Sequence, residues 1–251
     1  MIILLSPAKT LDFETTPPVE DTSTPNFVKQ AYTIQNELAK FNYQDLAKLM
    51  KISDNLAQLN EMRYKNWNKA EAKQAIYAYK GDVYEGLDAY SLSKKQINFA
   101  QKHVLIISGL YGALKPLDLI KPYRLDMGTK LKVDKNNNLY SFWGDKITEY
   151  VNSLLKENKS DIVVNLASNE YFKAIDAKKL DAEIVTPVFK DFSNGQYKVI
   201  SFLAKKARGL MTRYIVENEI RKPEDLIGFG DGGYIYKGDI SSKDTLYFYR
   251  G

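Results

Sequence analysis

Short, nearly continuous apolar runs alternate along this chain with longer segments whose apolar residues recur every three or four positions. The runs at 1–5, 104–107, 161–166 and 183–190 have the length and branched-residue content of strands buried on both faces. The first three end in polar groups: Ser6, then Ser108-Gly109, then Ala167-Ser168-Asn169-Glu170. Residues 197–202 predict a further strand, and 233–237 with 245–250 a closing antiparallel pair. Thr24-Pro25 reads as an N-cap with proline at the first helical position, opening a helix that reaches about residue 41. Shorter helices are expected after Asn42 and after Ser53. Ser93-Lys94-Lys95-Gln96 is a capping-box pattern opening another. The last helix is expected over 204–221. Residues 24–100 are thus nearly all helical and the end of the chain is antiparallel. The expected fold class is α/β, a mixed β-sheet with a helical lobe, in a single domain over 1–251.

Length and composition fit that picture and narrow the chemistry. A chain of 251 residues can bury a full core without covalent staples. It has no cysteine, which excludes a disulfide-linked partner, a thiolate nucleophile, an iron–sulfur cluster and a thiol sensor. It has one histidine, His103, so no HExxH or histidine-rich metal site can form. His103 has no patterned partner and is expected to be structural. No metal and no cofactor are expected. The opening apolar run stops at Pro7 without a basic stretch before it, too short for a signal peptide or a membrane span. A cytoplasmic protein without a membrane partner is therefore expected. The sequence does not fix the oligomeric state, for which a monomer is the expectation.

The charge has a location. The formal net charge is +5, and the window from Phe192 to Val216 holds five basic residues and no acid. At about 100° per residue, Lys205, Lys206, Arg208 and Arg213 share one arc of a helix, with Gly209 and Thr212 inside it. Leu203, Ala207, Leu210, Met211 and Tyr214 fill the other side. Such a face, with a small residue in its middle, invites the close approach of an anion such as a phosphate backbone; a merely solvated charged face is the plainer reading. A second basic element spans 46–59. It reads helix, tight turn, helix, and resembles the helix-hairpin-helix motif that binds duplex backbone. The usual glycines of that hairpin are replaced by Lys51-Ile52-Ser53, and Lys48, Lys51 and Arg63 supply charge. A plain pair of core helices has the same pattern.

Other polar residues gather at predicted element ends. Gly109 and Gly112 suit a tight turn with an approachable backbone, around a phosphate or a base. Arg124 and Asp126 are candidates for an ion pair or for the wall of a cleft. Ser6, Lys9, Ser108, Tyr111 and Arg124 would together form a catalytic pocket, with Lys9 a nucleophile if desolvated. An exposed lysine after a strand is the plainer reading of Lys9. Asp82, Asp118, Asp126 and Glu170 are dispersed and no spacing fixes them as an acid–base pair.

Several blocks, in order, carry a family resemblance: Leu5-Ser6-Pro7-Ala8-Lys9-Thr10-Leu11, Tyr79-Lys80-Gly81-Asp82-Val83-Tyr84, and Ser108-Gly109-Leu110-Tyr111-Gly112 through Pro122-Tyr123-Arg124. They continue with Asn165-Leu166-Ala167-Ser168 and Ala204-Lys205-Lys206-Ala207-Arg208-Gly209-Leu210-Met211. Together they resemble the YaaA family of bacterial peroxide-stress proteins over essentially the whole chain. The resemblance implies an unusual single-domain α/β fold with a helix-hairpin-helix-like element and a positively charged cleft. It also implies a part in surviving hydrogen peroxide by limiting iron-dependent damage, and binding to double-stranded or branched DNA. The expected function is therefore DNA binding with little sequence specificity, with Lys48, Lys51, Arg63, Lys205, Lys206, Arg208 and Arg213 as contacts. The alternatives are an enzyme acting on a nucleobase or damaged nucleic acid near Lys9, Ser108 and Arg124, and a protein-binding stress factor.

Overall fold

The first apolar run lies at the centre of the sheet. In the computed structural model, which describes residues 1–251, strand β1 (Ile2–Leu5) is buried along its whole length. The remaining strands of the main sheet are β2 (Val104–Ser108), β3 (Gly112–Leu114), β4 (Ile162–Asn165) and β5 (Glu183–Ser193), then β6 (Gln196–Lys198), β7 (Ile235–Tyr236) and β8 (Thr245–Arg250). Their spatial order is β7-β8-β5-β4-β1-β2-β3, with β6 folded back on the end of β5. The five strands from β8 to β2 are mutually parallel, while β3, β6 and β7 are antiparallel additions. β1 has a parallel partner on each side and both faces covered, so every side chain in it is apolar.

β5 alternates instead, burying Val185, Pro187, Phe189 and Asp191. A carboxylate on the buried face needs partners. Asp191 has three contacts: Nε and Nη2 of Arg250, both at 2.6 Å, and the Tyr234 hydroxyl at 2.9 Å.

Helices α1 (Val28–Leu38), α2 (Tyr43–Met50) and α3 (Asp54–Lys65) form the helical lobe. Along the rest of the chain come α4 (Asp82–Leu87), α5 (Lys94–His103), α6 (Lys146–Glu157), α7 (Asn169–Phe172) and α8 (Ser201–Glu217). The Ser93 capping box is present, with the side chains of Ser93 and Gln96 each accepting the other's backbone N–H. Asn42 caps α2 by accepting the Asp45 amide at 2.9 Å. His103 is buried against the Met1 carbonyl, 2.8 Å from Nδ1.

Four boundaries differ from the sequence expectation. α1 opens at Val28, not after Thr24, because Ser23 is drawn into extended pairing with Leu117 and Leu119. The strand expected over 197–202 ends at Lys198, because the chain turns into α8 at Ser201, and Phe202 lies on that helix. α8 ends at Glu217; Glu219 turns left-handed (φ 47°) and the Ile220 amide folds back to the Ile215 carbonyl. Two antiparallel ladders of two residues per strand, Thr10–Leu11 with Tyr79–Lys80 and Lys73–Gln74 with Leu119–Ile120, interrupt the helical stretch before residue 100. No helix is long and apolar enough to cross a membrane.

α4 and α8 cross at backbone contact. A Cβ on Gly209 would lie 1.9 Å from the Val83 carbonyl oxygen, and one on Gly86 would lie 2.2 Å from that of Lys206. Gly209 and Thr212 are both buried, so the small residues inside the basic arc serve a helix crossing rather than an exposed anion site.

Candidate functional site

The chain leaving β1 returns to the sheet at β2 on one side, and the chain leaving β4 returns, at β5, on the other. Adjacent parallel strands with diverging connections leave a crevice at their carboxyl ends, where α/β sheets commonly bind ligands. A cavity of about 620 Å³ occupies that place. Its first two walls are the loops directly after these strands, Ser6 to Thr10 and Ser168 to Tyr171. The Ser168 amide donates to Ser6 Oγ at 2.9 Å, and Ser6 Oγ reaches Ser168 Oγ at 3.4 Å, which ties the two loops together.

The third wall runs from Lys80 to Tyr84. The ladder between Thr10 and Lys80 holds it beside the first loop. Gly81 then adopts φ 153°, a conformation that side chains disfavour, as the chain turns from that ladder into α4. The Tyr84 hydroxyl donates to the Ser6 carbonyl at 3.1 Å. The fourth wall is Lys205 and Arg208, three residues apart on α8.

Four cations therefore meet two carboxyls, Asp82 and Glu170, around one cavity. Lys9 is ion-paired to Asp126 at 3.1 Å. Glu170 Oε1 accepts the Gly128 amide at 2.9 Å, which packs the 126–128 turn beside the site. Arg208 is half-buried, and desolvation alone pushes its pKa down, with no neighbouring acid to offset it. A guanidinium stays charged under such a shift. It is a cation already stripped of part of its water and left without a protein counter-ion. An anionic ligand would satisfy it.

The structure separates the five residues expected to share a catalytic pocket. Ser6 and Lys9 line the cavity. Ser108 is fully buried, with its Oγ 2.6 Å from the Tyr123 hydroxyl, which lies 2.6 Å from that of Tyr79. Burial raises the Tyr79, Tyr84 and Tyr123 hydroxyls well above the usual tyrosine range, so all three remain neutral. Tyr111 is buried and its hydroxyl accepts the Lys121 amide at 3.0 Å. Arg124 does not line the cavity; its carbonyl accepts the Tyr64 hydroxyl. Lys9 is 63% exposed as well as paired, and so is not the desolvated amine that nucleophilic chemistry needs.

Nor are Gly109 and Gly112 open to a ligand. A Cβ on Gly109 would lie 2.6 Å from the Leu125 carbonyl oxygen, and one on Gly112 2.6 Å from the Trp143 ring. Asp126 pairs with Lys9 rather than with Arg124. Asp118 is buried inside, where it accepts from Ser23 Oγ at 2.6 Å and the Lys115 amide at 2.8 Å.

The seven cations expected to contact DNA fall into three groups. Lys205 and Arg208 line the cavity, and Lys206 is exposed beside them. Arg213 is held by the fold: its guanidinium donates to the carbonyls of Leu87 (3.2 Å) and Asp88 (3.0 Å) and to Ser91 Oγ (2.8 Å), and pairs with Glu217 (2.7 Å). That closes the carboxyl end of α4, where a cation is favourable. Lys48, Lys51 and Arg63 lie on the α2–α3 hairpin, none of whose residues lines the cavity. Lys51 takes the left-handed position (φ 53°) that glycine usually fills, and Lys48 and Lys51 are exposed. Arg63 is half-buried, and burial pushes its pKa down.

Sequence reasoning had noted the residues after 1–5 and after 161–166 only as separate element ends. It missed Lys80, Asp82, Ser168 and Glu170 as one site, because the strand order and the Thr10–Lys80 ladder that join them are not written in any single segment.

Comparison with known proteins places this chain in a family. A family model described as peroxide stress protein YaaA matches residues 1–240. A UPF0246 protein of Aliivibrio fischeri strain MJ11 is 50% identical over 254 residues, covering 100% of this chain and 98% of that protein. UPF0246 proteins of Burkholderia mallei strain SAVP1 and Burkholderia pseudomallei strain K96243 are each 50% identical over 256 residues, again covering 100% of this chain and 98% of theirs.

Proposed function

This chain belongs to the peroxide stress protein YaaA family, and from that premise we propose that it binds duplex or distorted DNA through the cationic side of the switch-point cavity. The observation that carries the reading is the convergence of Lys205 and Arg208, neither ion-paired within the protein, with Lys9 and Lys80 on one open cleft. Contacts of that kind are made to phosphates and carry little sequence information. The exposed Lys48 and Lys51 at the α2–α3 turn offer a second backbone contact. Arg213 acts in this reading through the position of α4, not by touching DNA.

The setting is the cytoplasm during peroxide stress, where bound DNA is shielded from iron-dependent oxidation. With no cysteine in the chain, the protein responds to damage or to its DNA rather than to the oxidant through a thiol. Catalysis by Ser108, Tyr111 and Arg124 is not part of the reading, since they do not reach the cavity.

A cell lacking the protein, complemented with the parent chain or with a Lys205→Glu/Lys206→Glu double variant, tests the link to stress. The variant should accumulate normally and leave the cell sensitive to hydrogen peroxide. Full rescue by the variant would remove this face from the protective function.

A further inference from the structure

The cavity offers more than a charged wall. Its volume of about 620 Å³ falls in the range of pockets that enclose whole small-molecule ligands, roughly 300–1,000 Å³. A phosphate set against Arg208 and Lys205 would leave most of that space to water. Part of the remaining lining is apolar or aromatic: Ala8, Val83, Tyr84 and Tyr171. Interspersed among these are Asn169 and Asp82, whose carboxamide and carboxylate are the side-chain groups that pair with base edges. Ala8 follows β1, and Asn169 and Tyr171 follow β4, at the switch point where parallel α/β sheets hold nucleotides, while Asp82, Val83 and Tyr84 come from the start of α4. An anion-binding wall, an apolar surface, and an amide and a carboxylate in one pocket match a nucleotide's phosphate, the face of its base and the edge of its base.

We propose that this cavity is a binding site for a single nucleoside 5′-monophosphate unit, its phosphate held by Arg208 and Lys205 and its base enclosed by the rest of the lining. The site shares Lys205 and Arg208 with the duplex reading but requires only the pocket. Two sources share the chemistry: a free mononucleotide, or one unpaired nucleotide turned out of a DNA strand.

Calorimetric titration of the full chain with the four deoxynucleoside 5′-monophosphates, deoxyribose 5-phosphate and inorganic phosphate tests it. At least one nucleotide should bind tenfold or more tightly than deoxyribose 5-phosphate, and that tighter than phosphate. Arg208→Gln and Lys205→Gln should each weaken the best nucleotide about tenfold, as loss of a charge-assisted contact does. Lys205 is exposed, so its variant keeps the test valid if Arg208→Gln unfolds. Equal affinity for nucleotide and sugar phosphate, or a Lys205→Gln variant that binds like the parent, overturns the proposal. Displacement of the nucleotide by far less of a duplex with one unpaired nucleotide than of a fully paired one identifies DNA as the source. Equal displacement by both, or retention against both, identifies a free mononucleotide, and retention also takes duplex binding off these cations. A chain that binds nucleotide and no duplex refutes the DNA reading alone, and the reverse result refutes the pocket alone.

Discussion

Replacing Gly209 by alanine separates two accounts of the basic helix by sign. On an exposed face, Gly→Ala in a helix interior stabilises by about 1 kcal/mol. In the structure the new Cβ would lie 1.9 Å from the Val83 carbonyl oxygen, 2.8 Å from the Leu87 amide nitrogen and 2.9 Å from the Val83 carbonyl carbon. The first of these is 1.1 Å short of the 3.0 Å that real Cβ contacts respect. All three neighbours are backbone, so α4 and α8 must move apart as rigid pieces. Overpacking of this kind costs about 1–3 kcal/mol, and a backbone-on-backbone clash belongs at the upper end. Subtracting the propensity gain leaves a net loss of about 2 kcal/mol. For a chain of this size that corresponds to a fall in Tm of roughly 4–8 °C. Thermal and urea unfolding followed by circular dichroism, with Lys206→Gln as an exposed control on the same helix, measures it. A Gly209→Ala protein as stable as the parent, or more so, would refute the helix crossing as described.

Arg213→Ala should destabilise by about 1–2 kcal/mol through lost charge-assisted bonds to the Leu87 and Asp88 carbonyls, while Lys206→Ala stays within about 0.5 kcal/mol; equal effects in urea titrations would contradict the division of roles. Asp191→Asn strands Arg250 beside a weaker partner and should lower stability by about 3 kcal/mol; an unchanged urea midpoint would show that the pair is dispensable. Burial lowers the pKa of His103 below its usual 6.5 and brings the Met1 amine from 8.0 down to about 6. The unfolded chain therefore binds more protons than the folded one in this range, so stability rises with pH from about 6 to 8. Urea midpoints at constant ionic strength should climb over that interval, and His103→Gln should flatten the rise at its acid end; a flat or falling parent curve would contradict the assignment.

What the sequence disclosed depended on how local its cause is. The β1 run, the Ser93 capping box and the Asn42 cap depend on neighbouring residues and were legible. So was the buried core of the sheet, because strands covered on both faces must be apolar throughout. The start of α1 was not, since Ser23 pairs with residues nearly a hundred positions away. The glycines misled for the same reason. Gly109, Gly112 and Gly209 are needed where another part of the chain passes at contact distance: the 125–127 turn, Trp143 and α4. A sequence shows that a glycine is present and not what approaches it. The candidate site was half visible, as polar residues ending two apolar runs and as a basic helix. Strand order brings Ser6 and Ser168 together, and the Thr10–Lys80 ladder and the α4–α8 crossing bring Lys80 and Arg208 to the same cavity.

The central claim is that the cationic side of this cavity holds nucleic acid by its phosphates. Anisotropy of a fluorescently labelled duplex, titrated with parent and Lys205→Glu/Lys206→Glu proteins from about 50 to 200 mM salt, tests it most directly. The parent should bind, with log affinity falling linearly against log salt. The variant, equally stable by circular dichroism, should lose most of the affinity and show a shallower slope. A variant that matches the parent in affinity and slope at every salt concentration would contradict the claim.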